Sequence, residues 1–203
     1  MDTESTIAIV GISGRFPGAR HVAEYWRNLR QGVESIRFFS RAEIADGAVP
    51  RDVLEHPGAV FAGGTLDGFD EFDAEFFGTT VKEAGIMDPQ HRILLECAWA
   101  ALEDAGYDAT RFPGRIGIFA ASSASRYFLE LAAHPELVAP LTLGQLLIDN
   151  DKDFLATRIS YKLNLRGPSM AVQTACSSSL VAVHMAAQSV LSGEADLLSL
   201  IHI

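Results

Sequence analysis

The sequence predicts an α/β fold, on three observations. Short runs at 6–10, rich in β-branched residues, and at 116–120 read as buried strands, and 169–174 reads as a further strand. Other stretches carry apolar residues at helical spacing, and several of these are bounded by residues that start or stop a helix. Strands alternating with helices then define the class.

In chain order, the first strand is expected at 6–10, after which Gly11, Gly14, Pro17 and Gly18 force a turn. A helix follows over 21–31, with Val22, Tyr25, Trp26 and Leu29 on one face and Gly32 as its stop. That face should pack on the sheet. The pattern is weak from 33 to 64. Over 66–77 the spacing of Phe69, Phe72, Phe76 and Phe77 predicts a short helix whose aromatics belong to the core rather than to a ligand cage. Asp88-Pro89 is a helix start, since the carboxylate can accept orphan amides and proline is tolerated in the first turn. Ile93, Leu94, Cys97, Ala101, Leu102 and Ala105 form the stripe of that helix, which ends at Gly106. The strand at 116–120 precedes an irregular stretch punctuated by Pro135 and Pro140. A helix over 153–163, a turn at 164–168, the strand at 169–174 and a helix over 177–191 stopped by Gly193 complete the pattern. No internal repeat, low-complexity tract or long linker divides the chain, so one structural unit is expected.

Composition narrows the function. At 203 residues and 48% hydrophobic content the chain can bury a substantial core. A formal charge of -10, from 26 acidic against 16 basic residues, offers no general attraction to nucleic acid or anionic lipid. The acidic start Met1-Asp2-Thr3-Glu4 is unlike a secretory signal, and no stretch approaches the ~20 apolar residues of a spanning helix. A cytoplasmic protein without a membrane segment is expected. Cys97 and Cys176 form neither a disulfide framework nor a zinc spacing, so no metal site is expected.

Cys176 lies in Val172-Gln173-Thr174-Ala175-Cys176-Ser177-Ser178-Ser179, where a strand ends and a helix begins. Orphan amides and the helix dipole favour an anion there by roughly 0.3–1 kcal/mol, too little to make a nucleophile without a base. His184 is eight residues further on, about 12 Å along the helix, and cannot be its hydrogen-bonded partner. Sharing a helical face with Leu180, Val183 and Ala187, His184 reads as a packing residue. No motif nominates His21, His56, His91 or His134. Two readings of Cys176 stand on this chemistry: a small residue filling a tight junction, or an acyl-transfer nucleophile whose turn also supplies amides for an oxyanion. Ser177, Ser178 and Ser179 fit as capping and small packing residues. Cys97, in mid-helix on the apolar stripe, reads as core.

Four separated motifs decide between these readings. Ile7-Ala8-Ile9-Val10-Gly11 with Gly14-Arg15-Phe16-Pro17-Gly18, then Met87-Asp88-Pro89-Gln90-His91-Arg92, then the run from Asn150-Asp151-Lys152-Asp153 to Tyr161, and last Gly167-Pro168-Ser169 with the Cys176 segment occur in that order. In them the chain resembles the β-ketoacyl synthases of the thiolase superfamily, and among these the ketosynthase domains of type I modular polyketide synthases. The resemblance covers nearly the whole chain. It implies a thiolase-like fold, with residues 1–196 as the N-terminal half of a layered αβαβα domain. Cys176 would be the nucleophile at the end of an acyl tunnel, its backbone N–H forming part of the oxyanion hole, and no cofactor would be bound directly. The substrates would be acyl and malonyl-type thioesters on the phosphopantetheine of acyl carrier protein, joined by decarboxylative Claisen condensation, and the complete domain would be a homodimer with the 169–174 strand near its two-fold axis. The family's two catalytic histidines belong to motifs after the cysteine segment and are expected outside this chain, so the chain alone should be inactive. Residues 197–203 depart from the small, glycine-rich strand of the family and read as a truncated or non-native tail, in which His202 is no substitute histidine. An animal-type fatty acid synthase shares the cysteine segment; the 150–161 run favours polyketide synthesis. A related loading subtype carries glutamine at the cysteine position, so Cys176 favours a condensing lineage.

Two rivals fit less well. Gly11, Gly14 and Gly18 after a strand do not make the G-x-G-x-x-G of a dinucleotide site, and Pro17 sits where its helix should propagate. Gly11-Ile12-Ser13-Gly14 does not complete the five-residue elbow of a serine hydrolase.

Overall fold

The structure, a computed structural model, describes residues 6–44 and 49–202. These form two compact units rather than the one expected, Gly14–Gly68 and the remainder, Met1–Ser13 with Phe69–Ile203.

In the smaller unit, helix α1 (Val22–Gln31) forms where expected. His21 caps it, its Nδ1 accepting from the Glu24 amide at 3.2 Å, and Gly32 stops it at φ 66, a left-handed conformation that glycine adopts without penalty. The expected burial of its apolar face is not met. No residue of α1 is buried, Trp26 is 61% exposed, and Tyr25 stacks on Phe16 at 4.1 Å between ring centroids. Among its described residues the unit also holds a two-residue antiparallel pair, β1 (Arg37–Phe38) with β2 (Ala62–Gly63), a 3₁₀ turn (Arg41–Glu43) and a short helix α2 (Arg51–Glu55). Such short elements are why this stretch shows no clear periodicity.

The larger unit is built on a parallel sheet of order β4-β3-β5: β3 (Ile116–Ala121) at the centre, β4 (Ser169–Ala171) on one side, β5 (Leu197–His202) on the other. All six residues of β3 are buried, as a central parallel strand requires. Its two-residue period sorts the core. Ile116, Ile118 and Ala120 meet Leu94, Leu95, Ala98 and Leu102 of α4 (Pro89–Asp104) and Leu155, Ala156 and Ile159 of α8 (Leu155–Lys162). Phe119 joins Val172 and the Ala182 and Ala186 of α9 (Ser178–Leu191) in a second cluster. The result is a helix–sheet–helix sandwich. Backbones approach closely where β4 begins: a Cβ on Gly117 would lie 2.7 Å from the Pro168 carbonyl, and one on Gly167 would lie 2.7 Å from the Gly117 nitrogen.

The helix start expected at Asp88-Pro89 is realised, and two further capped starts, at Thr80 and Thr142, were not expected. Asp88 accepts from the Gln90 amide at 2.7 Å and Pro89 opens α4; Thr80 makes a capping box with Glu83 for α3 (Val81–Ile86), as Thr142 does with Gln145 for α7 (Leu143–Asn150). Between β3 and α7 lie α5 (Arg126–Ala132) and α6 (Pro135–Val138), in the stretch expected to be irregular.

Three expectations are corrected. Residues 6–10 form no strand: none is paired in a ladder and Ile9 is 88% exposed, because β-branched residues make a strand only where a partner edge lies alongside. The segment is held at Ile12, whose amide donates to Asp104 Oδ2 at 2.9 Å. Residues 66–77 form linked turns instead of a helix; Phe72 and Phe77 still reach the core, while Phe69 and Phe76 stay more than half exposed. The 169–174 strand is three residues long, although Val172 adds one more bond to the Ala120 carbonyl at 2.8 Å. Residues from 197 form β5, with Leu197 against the first cluster and Leu198 against the second. Among the described residues no helix is long and apolar enough to cross a membrane.

Candidate active site

Because β3 and β4 are parallel, the loops leaving them emerge at one end of the sheet, where ligands of open α/β folds bind. Gln173, just past β4, donates from Nε2 to the Ser122 carbonyl at 3.0 Å. The Ser123 amide donates to Gln90 Oε1 at 3.0 Å, and Gln90 lies in the first turn of α4. The Asp88-Pro89-Gln90 segment and the cysteine segment, far apart in sequence, therefore brace the same loop.

Cys176 sits in a 3₁₀ turn, Ala175–Ser177, immediately before α9. Its thiol is free and the residue is exposed. The turn is held in an uncommon conformation, with Ala175 at φ 54, a left-handed value that costs a residue with a Cβ on the order of 1–2 kcal/mol. Three hydrogen bonds offset this. The Ser178 hydroxyl accepts from the Thr174 amide and donates to the Ala175 carbonyl, both at 2.8 Å, and the Ser177 hydroxyl donates to the Thr174 carbonyl at 2.8 Å. Ser177 precedes α9 but its hydroxyl caps no amide of that helix, turning back to Thr174 instead of capping as expected, and Ser178, 2% exposed, is the buried member of the set.

The surroundings of Cys176 differ from two expectations. Cys176, expected to be buried near the end of an acyl tunnel, is exposed together with Thr174, Ala175 and Ser177. His184 is not a packing residue: α9 buries Ser178, Ala182, Ala186 and Ser189, and the opposite face, carrying Leu180 at 75% exposure, Val183 at 49% and His184, is open. Helical periodicity finds an apolar stripe, but α9 is apolar on two sides, and only contacts with β3 and β5 decide which side is covered. Cys97 is half-buried on α4.

The residue that sequence reasoning left without a role is His91. It is 1% exposed, and neither ring nitrogen has a hydrogen-bond partner. Burial pushes its pKa down to about 4, helped by the Arg158 guanidinium and opposed by Asp88 and Asp151. Arg158 bonds Asp149 Oδ1 at 2.6 Å and the Ile148 carbonyl at 2.7 Å, and Asn150 Nδ2 reaches the Ile86 carbonyl at 2.9 Å. These bonds join α3, α7 and α8 beside the start of α4. The signal was the Met87-Asp88-Pro89-Gln90-His91-Arg92 motif itself, in which cap and helix were read but the histidine was not. Among the described residues no three His, Cys, Asp or Glu side chains are grouped to hold a metal ion.

The site is thus a cysteine between a strand end and a helix start on a parallel α/β unit covered by helices on both faces. Residues 4–198 match the family described as Beta-ketoacyl synthase, N-terminal domain, and the chain is a member of that family. It is 54% identical over 201 residues to a phenolphthiocerol/phthiocerol polyketide synthase of Mycobacterium tuberculosis, an alignment covering 96% of this chain and 14% of that protein. It is 40% identical over 199 residues to the polyketide synthase PksN of Bacillus subtilis, covering 95% of this chain and 4% of that one. Among solved structures it is similar to ketosynthase twelve of the bacillaene polyketide synthase of Bacillus amyloliquefaciens, with a TM-score of 0.81 and 41% identity, covering 95% of this chain and 33% of that chain. The fold is thus the thiolase-like α/β fold of the ketosynthases, and the chain spans about a third of that ketosynthase structure.

Proposed function

We propose that this chain is the acyl-accepting part of a polyketide synthase ketosynthase, with Cys176 as its nucleophile. The observation that carries the reading is the position of Cys176: a free, exposed thiol in the turn between β4 and α9, inside the matched family region. The Cys176 thiolate attacks the carbonyl of an acyl thioester held on the phosphopantetheine of an acyl carrier protein. The tetrahedral oxyanion is met by backbone N–H groups at the helix start, that of Cys176 among them, and collapses to release the carrier thiol and leave the acyl group on sulfur. A malonyl-type unit on a carrier then loses carbon dioxide, and its carbanion attacks the Cys176 thioester. A carbon–carbon bond forms, the Cys176 thiolate leaves, and the β-ketoacyl product remains on the carrier.

Decarboxylation and condensation draw on two histidines beyond this chain, so the first half-reaction is the one assigned to it. By itself the chain is expected not to complete condensation. The complete domain is read as a cytoplasmic homodimer working with acyl carrier protein.

The test uses the synthase that carries this chain, incubated with an acyl-loaded carrier protein and digested for mass mapping. An acyl mass on the Cys176 peptide, absent after Cys176→Ala, is the expected result. Acylation of Cys97 with Cys176 unmodified would refute the assignment.

A further inference from the structure

We infer that Ser178 is the positioning residue of the Cys176 turn, an inference that rests on the reading of Cys176 given above. One hydroxyl makes two bonds to the backbone that precedes the thiol: it accepts from the Thr174 amide and donates to the Ala175 carbonyl, each at 2.8 Å. These bonds use the single hydroxyl proton and one lone pair, so the geometry is self-consistent. They hold the Gln173–Thr174 and Ala175–Cys176 peptide groups, and so bracket the left-handed Ala175, whose φ of 54 fixes the direction in which the next residue leaves the chain. The hydroxyl is buried with its residue at 2% exposure, while Thr174, Ala175, Cys176 and Ser177 are exposed. An exposed turn of this kind has little packing to hold it, and a clamp from the buried side of α9 supplies what packing does not. Ser178 is also the first residue of α9, so the clamp joins the turn rigidly to the helix whose amides face the reacting carbonyl.

The role is separable from simple stability, because the clamp matters only while residue 175 resists its left-handed conformation. Glycine adopts that conformation freely. Ser178→Ala is therefore expected to slow Cys176 about tenfold when residue 175 is alanine, and less than about threefold in an Ala175→Gly background. Ser178→Thr, which keeps the hydroxyl, restores most of the rate.

The experiment measures two rates on the synthase that carries this chain and its variants, with circular dichroism and melting to confirm folding. The first is alkylation of Cys176 by iodoacetamide relative to Cys97 in the same molecule. The second is acylation by an acyl-loaded carrier protein, resolved into kcat and KM, where the expected loss lies in kcat with KM within about twofold. Equal effects of Ser178→Ala in the alanine and glycine backgrounds, or alkylation of Cys176 unchanged by Ser178→Ala, would overturn the clamp. If alkylation follows the expected pattern but unaltered protein takes no acyl group on Cys176, the clamp stands and the reading of function fails.

Discussion

The side chain of Gln173 donates to the main-chain carbonyl of Ser122 at 3.0 Å, tying the segment that leads to Cys176 to the loop that leaves β3. A typical hydrogen bond contributes about 0.5–1.5 kcal/mol net. Gln173→Ala should lower the unfolding free energy by no more than that, measured by urea titration. It should also free the Ser122 loop, read as faster amide exchange at Ser122 and Ser123 with exchange in β3 unchanged. A loss above about 3 kcal/mol would mean that Gln173 is held by more than this contact.

The buried imidazole of His91 predicts an acid-sensitive fold. Its pKa is near 6.5 in an unfolded chain and about 4 in the folded one, so between these values the unfolded chain binds more protons and stability falls as pH falls. The contribution is complete above about pH 6.5 and is lost by about pH 4, an effect on the order of 3 kcal/mol. Denaturant titrations at pH 7, 5.5 and 4.5 should show the loss, and His91→Gln should flatten it. An equally steep fall in the variant would assign the sensitivity to carboxylates instead.

Arg158 and Asp149 form an ion pair in which both side chains are largely buried, at 12% and 13% exposure. Removing one partner of a buried pair leaves an uncompensated charge, at a cost of about 3–5 kcal/mol when burial is complete. Arg158→Ala should cost about 3 kcal/mol, given residual solvent access, and should also raise the pKa of His91, since the guanidinium is one of the two causes holding it down. Titrating the His91 ring protons by NMR in the variant tests the second effect independently of the first.

How much of this was legible in the sequence depended on whether a feature was local. Asp88-Pro89 and Gly32 mark helix ends by chemistry confined to one turn, and both ends formed where the residues said. The run at 116–120 was read as buried, and β3 is buried throughout, because an uninterrupted apolar run leaves no exposed face to assign. Residues 6–10 have similar composition and form no strand, since pairing depends on a partner edge that composition does not encode. The same limit explains His184: its helix was predicted, but which of two apolar faces meets β3 is a tertiary fact. At the site, the place of Cys176 between a strand and a helix was legible from the sequence. The left-handed Ala175 and the Ser178 clamp were not, because a three-serine run gives no sign of which hydroxyl turns inward.

The two faces of α9 give the last prediction. Ala182 and Ala186 are 2% and 4% exposed against Phe119, whereas Leu180 is 75% exposed. Adding methyl groups to a close-packed contact forces side chains from their rotamers, at about 1–3 kcal/mol, so Ala182→Val should destabilise the chain by that amount despite being hydrophobic and small. Leu180→Ala removes far more carbon from a side chain already in water and should change stability by no more than about 0.5 kcal/mol. Paired urea titrations of the two variants test the inversion. If Leu180→Ala were the more damaging, the covered face of α9 would have to be the one opposite to that seen here, and the placement of Ser178 on the buried side would fall with it.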